Sequence, residues 1–124
     1  MLAARIIILT GSIILIGTAV FHGTGYRDVS AATAAPALKP FLRSVTKALW
    51  LDYSIHLLLI AVISIFLGLK LNSRTGVILC AVVPLVDSIL LARFVGLFPG
   101  VFLLAAAAAL LILGAILLPS GAGA

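Results

Sequence analysis

Five side chains near the middle of this chain have the types and spacing for acid–base or ligand chemistry: Asp52, Tyr53, His56, Asp87 and Ser88. Asp52 and His56 stand four residues apart, so on a helix they share a face and the carboxylate can orient the imidazole. Tyr53 lies three before His56 and borders the same face. The acidic residues number three, all of them aspartates, and there are two histidines. Any proton transfer must therefore fall on this small set, with the tyrosines. The residues expected to carry chemistry are His56, Asp52 and Asp87. His56 would serve as acid–base group or as an axial haem ligand, and either aspartate would orient it. Tyr53, Ser88, His22, Trp50 and Arg43 are the expected ligand-binding residues. A single cysteine and two histidines leave no set for a multi-ligand metal site and no internal disulfide.

Each residue also has a plainer reading. Asp52 suits a position near a helix start, where the helix dipole favours a negative charge. His56 with Asp52 can be a hydrogen-bonded pair that fixes one tautomer and does no more. Asp87 can pair with His56 or Arg93, although Arg93 is better read as reaching for lipid headgroups. Cys80 reads as a small packing residue, and Pro84 as a kink that opens space near Asp87.

The elements that must position these residues follow from composition. Of 124 residues, 65% are hydrophobic and 9% charged, with a mean hydropathy of +1.42. A soluble domain is about half apolar and roughly a quarter charged, and a chain this small cannot bury such an excess internally. The expected class is an all-α membrane protein, a four-transmembrane-helix antiparallel bundle. The apolar segments run over about 6–21, 48–69, 75–95 and 101–118, each near the roughly 20 residues that cross a bilayer. Arg5 ahead of the first apolar run gives it the outline of a signal peptide, but it is read as a genuine span.

The turns at 70–74 and 96–100 are short enough to make their flanking helices antiparallel neighbours. The first two spans are joined by a long, partly helical loop over 23–47, which passes through small residues from Ser30 to Pro36. Pro40 suits a helix start, so an amphipathic segment over 40–47 is expected to lead into the second span. Lys39, Arg43 and Lys47 repeat every four residues as a basic stripe, and Trp50 follows at the depth of an interfacial aromatic. The net charge of +5 borders the apolar segments without forming a run. It points to anionic lipid headgroups and not to nucleic acid.

With four spans, Arg5, Lys70 and Arg74 fall on one side, and Arg27, Lys39, Arg43, Lys47 and Arg93 on the other. The positive-inside rule leans toward a cytoplasmic loop side, whereas Arg5 ahead of the first span fits the opposite orientation, so both stay open in a multi-pass protein expected in a bacterial inner membrane. All three aspartates and both histidines fall toward that same side. Intramembrane ionisable groups are costly and usually face the bundle interior or a wet cavity, so a polar pocket of Asp52, Tyr53, His56, Asp87 and Ser88, lidded by the loop, is expected there. The Ala105–Ala109 run and Gly114 suit close helix packing or a homo-oligomer contact.

Three function classes fit these features. The first is a small intramembrane enzyme or cofactor-binding protein that takes a lipophilic molecule in the pocket. The second is a dimeric proton-coupled transporter. Size and span count resemble those of small multidrug-resistance transporters, which rely on a membrane-embedded acidic residue in the first helix; the first span here has none. The third is an accessory or scaffold subunit. Four-helix outlines also occur in DoxX-like proteins, with no motif here that marks membership. The clustering of rare polar groups at one end favours the first class.

Overall fold

A computed structural model describes residues 1–34 and 38–119 of the chain. Five helices follow in order: α1 over Leu2–Thr24, α2 over Tyr26–Ala32, α3 over Pro40–Leu69, α4 over Arg74–Phe94 and α5 over Pro99–Ile116. Among the described residues there is no strand. Four stretches, at 2–32, 40–69, 74–94 and 99–116, are long and apolar enough to cross a membrane.

The linker expected over 23–47 is mostly helix. Gly25 takes ordinary right-handed helical angles, φ −70° and ψ −6°, so the chain continues from α1 into α2 with little interruption. Alanine and serine in 30–32 do not oppose a helix, and no proline precedes Pro36 to break it. Only 33–39 separates α2 from α3, and Ala35, Pro36 and Ala37 at the end of the small-residue stretch lie outside the described residues. At Pro40 expectation and fold agree. Lys39 is extended at φ −56° and ψ 140°, the conformation that a following proline imposes, and Pro40 opens α3. At about 45 Å, α3 is longer than a bilayer core, and the excess is its basic first two turns.

Side-chain proximities give the packing order. Ile8 of α1 meets both Gly68 of α3 and Gly114 of α5, while at the other end of α1 His22 meets Ser54. Both neighbours therefore run antiparallel to α1. Ser88 of α4 donates a hydrogen bond of 3.0 Å to the Val101 carbonyl of α5. The helices form a ring α1–α3–α4–α5, and the α3–α4 seam is the least extensively packed of the four. The core is small and aliphatic: Ile8, Leu15, Leu57, Ala61, Val77, Ala107 and Leu111 are fully buried. Large apolar side chains such as Leu59, Ile89 and Phe102 cover the outside.

At the end away from α2, Ser73 caps α4 by accepting from the Gly76 amide at 3.2 Å. Asn72 takes a left-handed φ of 48°, which asparagine tolerates better than most residues. Its side-chain oxygen accepts from Arg5 at 3.2 Å, tying the start of α1 to the α3–α4 turn. Gly96 ends α4 at φ 103°, a backbone that favours glycine.

Candidate functional site

Thr46, Leu49, Trp50 and Tyr53 stand at i, i+3, i+4 and i+7 on α3, one helical face. That face forms a wall of a cleft of about 810 Å³, within the usual range for small-molecule sites. Thr18, Phe21 and His22 of α1 line it with Gly25 and Asp28 at the start of α2. Leu91 of α4, Phe98 of the following turn, and Gly100 and Leu104 of α5 complete the lining. All five helices contribute, at the end of the bundle that carries α2.

An aromatic stack organises this end. The His22 ring lies on the Trp50 indole with centroids 4.0 Å apart and planes 18° from parallel. The Tyr53 ring meets His22 edge-on at 4.9 Å and lies parallel to His56 at 6.2 Å. Trp50 Nε1 donates to the His22 carbonyl at 2.9 Å, and His22 Nδ1 pairs with Ser54 Oγ at 2.9 Å. Trp50 thus packs on His22 and forms part of the polar wiring at this end of the bundle. The close fit at Gly25 follows from the same stack, because a Cβ there would sit 2.9 Å from the indole Cζ2. Gly25→Ala is expected to displace the indole and weaken its bond to His22. Trp50 is the only tryptophan, so a shift in intrinsic emission reads this directly. Gly23→Ala, whose Cβ would make only an ordinary 3.7 Å contact with Ser54, should leave the emission unchanged.

Nearly every donor on the cleft wall is already used. Thr18 donates to the Ile14 carbonyl at 2.8 Å, Thr24 to Phe21 at 2.6 Å and Thr46 to Leu42 at 2.8 Å. These back-bonds satisfy the hydroxyl protons within the helices, and the indole N–H is spent on His22. The lining contains no lysine or arginine. The wall is therefore apolar in effect as well as in composition.

The expected site residues do not converge on one place. His22, Trp50 and Tyr53 line the cleft. His56 and Asp87 come together in the α3–α4 seam, with His56 Nε2 3.7 Å from Asp87 Oδ2, too far for a hydrogen bond. Tyr53 joins the two places: its ring lines the cleft, and its hydroxyl feels the Asp87 charge. Both Tyr53 Oη and Asp87 Oδ2 are buried without a hydrogen-bond partner. Asp52 stands apart, exposed on α3 and making no ion pair with His56. Ser88 is spent on holding α4 to α5. Arg43 is half-buried near the start of α3 and is not among the cleft residues. His56, the residue proposed for haem, does not line the cleft either. Arg93 is exposed and lies 5.8 Å over the Phe94 ring. Among the described residues no group of three histidine, cysteine or acidic side chains converges to hold a metal.

Ser54, Gly25, Leu91 and Leu104 were not singled out from the sequence. Ser54 carried a usable signal, since it follows Trp50 at i+4 on a helix whose polar residues are few. The leucines carried none among so many others. No family model, curated protein or solved structure matches this chain, so the functional reading rests on these residues alone.

Proposed function

We propose that this chain is a multi-pass integral membrane protein that binds a lipophilic small molecule in the cleft at the α2 end of the bundle. The observation that carries the reading is the cleft wall itself. It is large enough for a small molecule, and its threonine hydroxyls and indole N–H are committed to carbonyls of the chain. A water-soluble polar ligand would find few partners there, whereas a hydrocarbon-rich one loses nothing by entering. The exposed leucine, isoleucine and phenylalanine side chains of the outer faces support a lipid surround, because soluble monomers rarely expose contiguous apolar surface of this extent. A ligand would then reach the cleft from the bilayer.

Trp50 provides the assay. A brominated lipophile such as ω-bromododecanol, titrated in micelles, is expected to quench its emission saturably. Thr18→Phe fills the cleft at a position whose hydroxyl serves only its own helix. It should raise the half-saturating mole fraction about tenfold or more, equivalent to ~1.4 kcal/mol, with helix content unchanged. Quenching that rises linearly and identically in both proteins means simple partitioning and would end this reading.

A further inference from the structure

The arginine and the lysine of α3 take no part in the cleft wall, yet the helix carries them on the cleft side. α3 is one continuous helix over Pro40–Leu69, so its phase fixes where each of its residues stands. Arg43 precedes Trp50 by seven residues and Lys47 precedes Ser54 by seven, close to two full turns. Each cation therefore stands in line with a residue that meets His22 of α1, about 10 Å further out along the axis. Phe41 precedes Leu59 by eighteen residues, five full turns, and both are exposed on the outer face. That outer face carries neither cation. Anchoring to the surrounding headgroups would not require such sorting.

The same two residues border the mouth of the cleft. Thr46 is the outermost α3 residue of the lining; Arg43 stands one turn beyond it and Lys47 adjoins it. On α2, Arg27 adjoins Asp28 of the lining. Three basic side chains thus stand within one turn of the rim, against the single carboxylate of Asp28. Asp52 lies six residues further along α3 than Thr46, deeper than the rim.

From this arrangement we infer that the ligand is a long-chain amphiphile with an anionic head, its tail in the cleft and its carboxylate or phosphate beyond the rim at Arg43 and Lys47. The inference rests on the cleft reading above and adds the identity of the head. The wall, with its hydroxyls committed and no lysine or arginine, suits a tail. The cations begin where the wall ends, and a rim of one prevailing sign concentrates the opposite charge. The rings of the wall, Phe21 and Phe98 among them, receive an apolar tail under any head. A cationic head would gain Asp28 and a ring face but would lie beside three like charges.

Quenching of Trp50 in the full chain tests this with four probes that share one brominated tail: ω-bromododecyl phosphate, ω-bromododecanoate, ω-bromododecanol and ω-bromododecyltrimethylammonium. Each is titrated as a mole fraction of nonionic micelles at low salt. Both anions are expected to half-saturate at about a tenfold lower fraction than the alcohol, the order of effect of two basic side chains at a membrane surface. High salt should close most of that gap. Arg43→Gln with Lys47→Gln should bring the anions level with the alcohol and leave the alcohol unchanged. Asp28→Asn, at an exposed position, is an independent variant: it removes the opposing charge and should tighten both anions about two- to fivefold. Thr18→Phe should weaken the anions as it weakens the alcohol, because their tails share one cleft.

Anions no tighter than the alcohol, or tightest binding by the trimethylammonium, overturns the inference and leaves the cleft reading intact. So does anion quenching that Thr18→Phe leaves untouched while the alcohol weakens. Displacement of the phosphate probe by inorganic phosphate at matched ionic strength also overturns it, assigning the rim to a free anion. Absence of saturable quenching by every probe removes the cleft reading itself.

Discussion

Gly114→Leu is expected to cost the bundle about 3 kcal/mol of stability, the upper end of what overpacking a filled interior usually does. The obstacle is the Ile8 side chain, with the α1 backbone close behind it. A Cβ at Gly114 would lie 2.5 Å from Ile8 Cγ1, 3.1 Å from the Ile8 amide nitrogen and 3.2 Å from the Ala4 carbonyl oxygen. Ile8 is fully buried and cannot swing away. Gly11, three residues beyond Ile8 on α1, makes the reciprocal approach, with its hypothetical Cβ 3.1 Å from the Ala107 carbonyl. The small residues of α5 therefore hold α1 at close range, and the Ala105–Ala109 run contributes to the bundle's own packing. Gly17 is the control: nothing lies within 4 Å of a Cβ there. Gly17→Ala should leave packing unchanged and add up to about 1 kcal/mol from helix propensity. Reversible unfolding in mixed micelles, followed by circular dichroism, measures both. A Gly114→Leu protein as stable as the parent would mean that α1 and α5 do not meet at this point.

Asp87→Leu is expected to act in the opposite direction, stabilising the fold by about 1–3 kcal/mol. Leaving a buried polar group without a partner costs this much, and replacing a poorly satisfied buried charge with an apolar side chain is often stabilising. Asp87 Oδ2 is buried and unbonded, with His56 at 3.7 Å as its only ionic neighbour among the described residues. The Tyr53 hydroxyl lies close to the Asp87 carboxylate without a well-formed hydrogen bond, so Tyr53→Phe should change stability little. Asp52→Asn, on the exposed face, should change little. The same unfolding titration decides the matter. A loss of more than about 1 kcal/mol in either Asp87→Leu or Tyr53→Phe would show that these groups are bonded and serve the fold. A gain marks them as groups kept at the expense of stability, the usual signature of a functional position.

The span pattern was legible in the sequence because four apolar runs separated by short polar turns admit few arrangements. Helix boundaries came out longer than the apolar runs at α1 and α3, since hydropathy marks where a chain is apolar and not where its helix stops. The linker was misjudged for the same reason: polar, small-residue sequence such as Tyr26–Ala32 can be helix without being apolar. The polar end was also legible, from the depth of His22, His56 and the three aspartates. The helical phase of Asp52 was not.

A spacing of four is not straight along a helix, because at 3.6 residues per turn each step advances about 40° around the axis. From Asp52 to Ser64 three such steps accumulate to roughly a third of a turn, so Ser64 is buried while Asp52 is exposed. The cleft face was instead set by Thr46, Leu49, Trp50 and Tyr53, whose offsets of three, four and seven residues keep them on one side. The threonine back-bonds are local to their helices, but the His22–Trp50 stack depends on where α1 meets α3, and no local pattern encodes that meeting.

Photolabelling in bilayers with a long-chain alcohol bearing a diazirine on its tail tests the occupancy of the cleft most directly. Peptide mapping should place adducts on Thr18, Leu91 and Leu104 of the cleft, and an excess of unlabelled dodecanol should compete them away. Adducts on outward-facing Leu59, Ile89 and Phe102 should persist under the same competition. Labelling confined to those outer faces, or cleft labelling that dodecanol fails to displace, would contradict the account.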